Sequence, residues 1–350
     1  MQSDFKYDFL VFIGRFQPFH KGHEKVIKDG LKNSKNVIIL CGSSYQPRSL
    51  RNPWMVAERE VMIRSCFDDA ENKRIITAPL MDVAYNDELW IKNVQETVKG
   101  LVSSYHAQLH VEPKLGLIGH SKDHTSYYLS LFPQWDSLEV ENFKGISSTP
   151  IREDLFNNSY DASSMANDLL PQNVNSLLNN FLETDDYINL KNEYHFLKKY
   201  KEGWDKAPYP PIFVTADAVV VQSGHILLVE RKAFPGKGLY ALPGGFVNQN
   251  EKLEDACIRE LKEETKLKIP LPVLKGSIVK SELFDDPHRS ARGRTITNAF
   301  HISLTPDKAL PKVKGSDDAK HAFWLPLHKL DPSKMFEDHY FIIQKMLGTI

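Results

Sequence analysis

The stretch DFLVFIGRFQPFHKGHEKVIKDGLKNSKNVIILC, residues 8–41, decides the fold of the first half of the chain. Residues 8–13 form a short apolar run that ends at Gly14. A loop rich in Pro, His and Gly follows, then residues 24–31 with apolar side chains at helical spacing, then a second apolar run at 36–41. Strand, loop, helix, strand is the pattern of a βαβ unit, because parallel neighbours need such a crossover. Apolar segments at 75–78 and 115–118, separated by helix-like stretches at 56–67 and 89–102, continue the alternation. The expected class is α/β, with a doubly wound parallel sheet in this half.

From about residue 161 to 200 the pattern turns helical, with Leu178, Phe181, Leu182, Tyr194 and Leu197 as its apolar positions. Residues 203–211, GWDKAPYPP, then forbid helix continuation and favour extended chain. The expected domains are therefore 1–185, with a helical segment to about 200, and 201–350. Beyond the boundary, strands are expected at 213–221, 226–230, 238–241, 273–281, 295–304 and 322–325, with a closing helix near 334–347. An acidic helix interrupts them. That is an α+β unit on a mixed sheet.

A chain of 350 residues suits two globular units. Its 44 Lys and Arg against 45 Asp and Glu leave a formal net charge of -1, so no nucleic-acid footprint is present. The N-terminus lacks a basic segment followed by a long apolar run, and no later stretch approaches the roughly 18 apolar residues that span a bilayer. A cytoplasmic protein with no membrane partner is expected. Cys41, Cys66 and Cys257 are isolated and lack metal-type spacing, which suits reduced, buried thiols.

Gly14-Arg15-Phe16-Gln17-Pro18-Phe19-His20-Lys21-Gly22-His23 sits where the first strand hands over to a helix. Ligands of open α/β sheets lodge at that edge, and helix N-termini favour anions. Two imidazoles there can donate to phosphoryl oxygens as charge develops. Ile146-Ser147-Ser148-Thr149-Pro150-Ile151-Arg152 prepares a second helix start, with Ser or Thr as cap ahead of Pro at the first helical position.

Together these segments resemble the nucleotidylyltransferase superfamily, and within it the archaeal-type nicotinamide mononucleotide adenylyltransferases. Ser49-Leu50-Arg51-Asn52-Pro53-Trp54, Glu58-Arg59 and the stretch from Asp82 to Trp90 carry the likeness further. The resemblance implies that Arg15, His20, His23, Arg51 and Arg152 contact ATP phosphates and stabilise the transition state. It implies substrate contacts at Gly14, Phe16, Asp82, Ser147, Ser148 and Thr149, and stacking of Trp90 on the nicotinamide ring. Asn86 and Asp87 stand one residue out of step with the family. In this chemistry the 5′-phosphate of nicotinamide mononucleotide attacks the α-phosphorus of ATP, giving NAD and pyrophosphate, with Mg²⁺ on the triphosphate.

In the second half, Gly245 is followed by five residues, Glu251, seven residues, then Arg259-Glu260-Leu261-Lys262-Glu263-Glu264. On a helix Glu260, Glu263 and Glu264 share a face at i, i+3 and i+4 and repel one another. A divalent cation reverses that sign, and crowded carboxylates are what Mg²⁺ or Mn²⁺ takes up. The segment is similar to the Nudix box, with Leu242-Pro243-Gly244-Gly245 ahead of it and Lys266 where the family has a glycine. The resemblance implies metal ligation and catalysis by Glu260, Glu263 and Glu264, and a pairing of Arg259 with Glu251 or Glu263. It also implies substrate contacts at Arg231, Gly244, Gly245 and Arg292, the last in the basic turn 289–295. Which glutamate accepts the water proton is open, with Glu282, Asp285 and Asp286 as alternatives.

Both sites fit a bacterial bifunctional family that makes NAD and splits ADP-ribose into AMP and ribose 5-phosphate. A C-terminal unit that only senses ADP-ribose, or hydrolyses another nucleoside diphosphate, is the rival. Against a sensor stands the complete set of box carboxylates. A pantetheine-phosphate transferase is the rival for the first unit. Self-association and the relation of the two units stay open.

Overall fold

The structure, a computed structural model, describes residues 5–105, 112–119, 130–141, 143–157, 169–307, 309–315 and 319–349. By packing, the chain divides into two compact units, Met1–Lys191 and Asn192–Ile350. In the first, β1 (Tyr7–Gly14), α1 (Lys21–Asn33), β2 (Ser34–Cys41), α2 (Val56–Arg64), α3 (Asp69–Asn72) and β3 (Ile75–Pro79) are followed by α4 (Asp87–Tyr105) and β4 (Leu115–Gly119). Then come β5 (Asp136–Glu139), α5 (Ser148–Phe156) and α6 (Gln172–Phe181). The expected helical stretch begins at residues 161–168, which lie outside the described residues; its remainder forms α6 and α7 (Asp185–Glu202).

The five strands of the first unit are parallel, in the order β3-β2-β1-β4-β5. Alternate residues of β1 serve its two faces. Phe9, Val11 and Ile13 join Ile38, Leu40 and Leu117 in one core layer, closed by Val94, Val98 and Val102 of α4. Their spacing of four puts one stripe of the helix on the sheet, and each buried side chain contributes roughly 1.5–3 kcal/mol. Leu10 and Phe12 face the other way, level with Val37 and Ile39 of β2. There α1 packs, its Gly30 close to Val37 and Ile118. Strand β5, Asp-Ser-Leu-Glu, is an edge strand with three exposed residues, so no apolar run announces it.

The second unit holds β6 (Phe213–Gln222), β7 (His225–Arg231), β8 (Tyr240–Ala241), β9 (Gly244–Phe246), α8 (Leu253–Thr265) and α9 (Leu271–Gly276). It closes with β10 (Ile278–Phe284), β11 (Thr295–Ser303), β12 (Ala319–Pro326) and α10 (His339–Leu347). The sheet is mixed, in the order β10-β11-β6-β7-β12, with β6 and β11 parallel and β8 and β9 paired to β7 and β6. Helix α8 lays Ala256, Cys257 and Leu261 on Ala216, Ala218 and Val220 of β6.

Two expectations need correction here. Residues 273–281 are not one strand: Pro272 suits a helix start, so α9 forms first and β10 begins only at Ile278. The closing helix starts at His339, because Glu337 takes a left-handed backbone (φ 45°) that no helix admits. Among the described residues no helix is long and apolar enough to cross a membrane.

Candidate active sites

The loop after β1 is built around a reciprocal histidine cap. His20 flanks α1; the His23 backbone N–H donates to His20 Nδ1 (3.4 Å), and the His20 N–H donates to His23 Nδ1 (3.3 Å). The two rings stack with centroids 3.6 Å apart. Phe16 is buried beneath them, edge-on to His23 at 4.9 Å and to Phe12 at 5.3 Å, so its ring is core rather than a ligand surface.

Helix α5 is fastened to this same loop. Ser148 Oγ donates to Pro18 O (3.1 Å), Arg152 Nη1 donates to Gln17 O (2.6 Å), and Arg152 Nη2 donates to Thr149 Oγ1 (3.2 Å). The expected cap ahead of Pro150 is not what forms. Ser147 takes the flanking position without a side-chain bond and the helix begins at Ser148, leaving Pro150 in a first turn that tolerates its missing N–H. The hydroxyls expected to cap thus serve the loop instead.

Arginine is concentrated here. The buried Arg59 donates to the carbonyls of Arg15 (2.8 Å) and Gly42 (2.6 Å), fixing the loops after β1 and β2 together. Arg51 is exposed on a turn closed by paired Ser49 and Asn52 backbone bonds, and Arg48 anchors that turn through Pro53 O (2.7 Å), Glu58 (2.6 Å) and Asp186 (2.8 Å). Burial, then Arg51 and Arg152, pull the Arg15 guanidinium down to about 10, and burial with Arg51 does the same to Arg152. Arg15 Nη1 is buried with no hydrogen-bond partner among the described residues. Such an excess of unneutralised cation is what a polyphosphate relieves.

Asp82 acts on Arg15 and Arg59 and partly offsets their charge, whereas Trp90 stands on α4. Asp82 accepts from Ser43 N (3.0 Å) and Ser43 Oγ (2.7 Å), which shapes the loop after β2. Trp90 is half-buried in the first turn of α4, packed on the core and 6.1 Å from the Phe132 ring, while Asn86 caps that helix through Leu89 N (3.0 Å).

In the second unit the three glutamates fall on α8 as the spacing requires, and Arg259 is their hub. It donates twice to Glu251 (2.8 and 2.9 Å), to Glu260 (2.7 Å), to Glu263 (3.1 Å) and to Phe246 O (3.1 Å). These bonds, Glu251 foremost, hold it charged and raise its pKa. Glu260 lies against Gly245, where a Cβ would sit 2.6 Å from the Glu260 carboxyl carbon. Glu264 accepts from Gly244 N at 3.1 Å. Helix α8 ends at Lys266 in the left-handed conformation, φ 51°, the place where a glycine costs nothing.

Burial, assisted by Glu260 and Asp217, pushes Glu264 up to about 8; burial raises Glu260 also, against the pull of Arg259. Crowded hard oxygen donors disfavoured as anions suit a divalent cation, so the residues fit one. As they stand, no three His, Cys, Asp or Glu groups among the described residues converge to hold an ion, since Arg259 binds Glu260 and Glu263.

Beside α8 lies a cavity of about 310 Å³ lined by Arg231, Gly244, Gly245, Glu264 and Arg292 among others. Sequence reasoning missed several of its walls. Asp217 of β6 is buried, accepts from Thr297 Oγ1 (2.5 Å) and is pushed up to about 6; its one signal was an acid inside an apolar strand. Glu337 accepts from Ala291 N (3.0 Å) and burial raises it to about 7. Arg289 and Asp338 form a buried two-bond pair at 2.9 Å, and His339 Nδ1 accepts from Leu242 N (2.9 Å). Burial beside Arg289 and Arg231 keeps that imidazole neutral. None of Glu282, Asp285 and Asp286 lines the cavity: Asp285 and Asp286 are exposed, and Asp286 caps His288 N (2.7 Å).

The chain matches two family models, a cytidylyltransferase-like one over residues 11–154 and a NUDIX domain over 211–346. It is 38% identical to a nicotinamide/nicotinic acid mononucleotide adenylyltransferase of Acinetobacter baylyi, over 54% of this chain and 95% of that one. It is 37% identical to an ADP-ribose pyrophosphatase of Methanocaldococcus jannaschii, over 42% of this chain and 77% of that one. Crystal structures of a bifunctional NMN adenylyltransferase/ADP ribose pyrophosphatase from Francisella tularensis share 37% identity over 98% of this chain and 99% of theirs. Their TM-scores are 0.87 and, for the complex with AMP and a manganese ion, 0.86.

Proposed function

This chain belongs to the family of bifunctional NMN adenylyltransferases and ADP-ribose pyrophosphatases, and from that premise we propose how its residues divide the work. The first unit transfers adenylyl from ATP to nicotinamide mononucleotide; the second hydrolyses ADP-ribose. Support for the residue roles comes from one observation: each site carries an excess of one charge that a polyphosphate, alone or with a cation, cancels.

In the first unit Arg15, Arg51 and Arg152 hold the triphosphate, with His20 and His23 donating to the oxygens of the phosphoryl group being attacked. The mononucleotide phosphate oxygen bonds to the α-phosphorus as its bond to the bridging oxygen breaks, and pyrophosphate carries the electron pair away. No covalent nucleophile is needed, so fixed cations and alignment do most of the work. Phe16 and Asp82 act by shaping the loop, Gly14, Ser147, Ser148 and Thr149 by placing backbone and hydroxyl groups, and Trp90 by offering its indole to the pyridinium ring.

In the second unit Glu260, Glu263 and Glu264 would hold Mg²⁺, with Mn²⁺ as substitute. Bound there, the ion supplies an acidified water and neutralises diphosphate charge. Arg259 keeps the carboxylates aligned, Gly244 and Gly245 leave room beside them, and Arg231 and Arg292 meet the diphosphate. Glu337, held on the cavity wall by Ala291 N, is one of the cavity acids, with Asp217 and Glu264, placed to accept the water proton.

A double dissociation tests these roles. His20→Ala should abolish NAD formation and spare ADP-ribose hydrolysis, while Glu263→Gln should do the converse. Loss of both activities in one folded variant, or unchanged hydrolysis by Glu263→Gln at saturating Mg²⁺, would contradict them.

A further inference from the structure

The glycine loop between β8 and β9 is held from three sides. Pro243 O accepts from Ala218 N at 2.8 Å, Gly244 N–H donates to Glu264 Oε2 at 3.1 Å, and Leu242 N–H donates to His339 Nδ1 at 2.9 Å. His339 is the first residue of α10, and it is fixed as firmly as the loop. Its own N–H donates to Phe336 O at 3.1 Å, the Phe336 ring stands edge-on to the imidazole at 5.4 Å, and the adjacent Asp338 is locked to Arg289.

That accounts for one ring nitrogen only. His339 is 6% exposed and lines the cavity, and among the described residues its Nε2 has no hydrogen-bond partner. The acids of the same wall are engaged: Asp217 by Thr297, Glu264 by Gly244 N and Glu337 by Ala291 N. Burial, then Arg289, Arg231 and Arg292, keeps the imidazole neutral. A neutral ring that accepts at Nδ1 has its one hydrogen at Nε2. A single uncharged N–H at a helix start thus belongs to a cavity that three guanidiniums also line. A buried donor left unpaired is costly unless a ligand completes it.

We propose that His339 is a substrate-contacting residue of the hydrolase: its Nε2–H donates to a diphosphate oxygen of ADP-ribose, while its Nδ1 holds the glycine loop beside Glu260 and Glu264. This rests on the ADP-ribose hydrolase reading. A bond to an anionic oxygen is stronger than one between neutral groups, and a neutral ring makes it without adding a fourth cation to the wall.

The two nitrogens can be separated in the full-length chain, because an Asn amide reaches the place of Nδ1 and a Gln amide that of Nε2. His339→Asn keeps an acceptor for Leu242 N–H and removes the outer donor. Its Tm should stay close to that of the wild type while kcat/KM for ADP-ribose falls about tenfold or more. His339→Gln keeps a donor and leaves Leu242 N–H unpaired, so its Tm should fall further, yet its kcat/KM should exceed that of His339→Asn. Support of the loop alone would give the opposite order. Wild-type kcat/KM in His339→Asn, or a Gln variant no more active than the Asn one, overturns the proposal. Failure of the wild-type chain to hydrolyse ADP-ribose would instead remove the reading beneath it.

Discussion

Around the loop after β1, Arg15, Arg51, Arg59 and Arg152 press on one another; around α8, Glu260, Glu264 and Asp217 do the same with the opposite sign. The first unit prepares for an anion by storing cationic repulsion, which the substrate itself removes on arrival. The second stores anionic repulsion on α8 that a nearby diphosphate would worsen and a divalent cation would offset, while Arg231 and Arg292 line the same cavity. The difference teaches why the cations of the first unit sit on separate loops and helix starts whereas α8 carries a hub, Arg259, that ties Glu251, Glu260 and Glu263 together.

The contrast can be broken most sharply at Arg152. Arg152→Ala removes a phosphate cation and the tie to Gln17 O together, so NAD formation should fall by about a thousandfold or more. Loss of less than tenfold would show that the cation cluster is structural. A smaller effect is expected at Gly245→Ala, whose methyl carbon would meet the Glu260 carboxyl at 2.6 Å. Hydrolysis should drop roughly tenfold and stability by about 1–3 kcal/mol, while adenylyl transfer stays as it was. Equal losses in both assays would mean that the carboxylate cradle is not the cause.

Glu337 sharpens the comparison through pH. Its folded carboxyl titrates at about 7, above its value in the unfolded chain near 4.3. Its contribution is therefore complete below about pH 4 and lost as pH rises through 7, because the unfolded state releases its proton first. Wild-type Tm should fall more steeply than that of Glu337→Gln between pH 5 and 7; parallel slopes would deny the raised carboxyl. Least of all, Lys266→Gly should relieve the left-handed cap and stabilise by about 0.5–1 kcal/mol with turnover unchanged, read from denaturant midpoints.

Much of this was legible in the chain, and unevenly. Strands β1, β2, β3, β4 and β6 are written as apolar segments because most of their residues are buried, whereas β5 is polar at the edge and β10, exposed along most of its length, begins later than the expected 273–281. The glutamates of α8 and the histidines of α1 announced themselves through spacing, since both motifs are local. The walls of the cavity did not. Asp217, Glu337 and His339 come from β6 and from the segment leading into α10, and only pairing of distant strands brings them together. Arg59 likewise reads as an ordinary helix residue, and becomes a brace only when the loops after β1 and β2 close over it.

The histidine pair at α1 has a final consequence. Each Nδ1 accepts a backbone proton from the other residue's position, so in the neutral rings the hydrogen must reside on Nε2. Both far nitrogens are then donors before any nucleotide arrives. The turn that begins the helix has selected the tautomer, and with it the polarity that the two imidazoles would show to a phosphoryl oxygen in the proposed role.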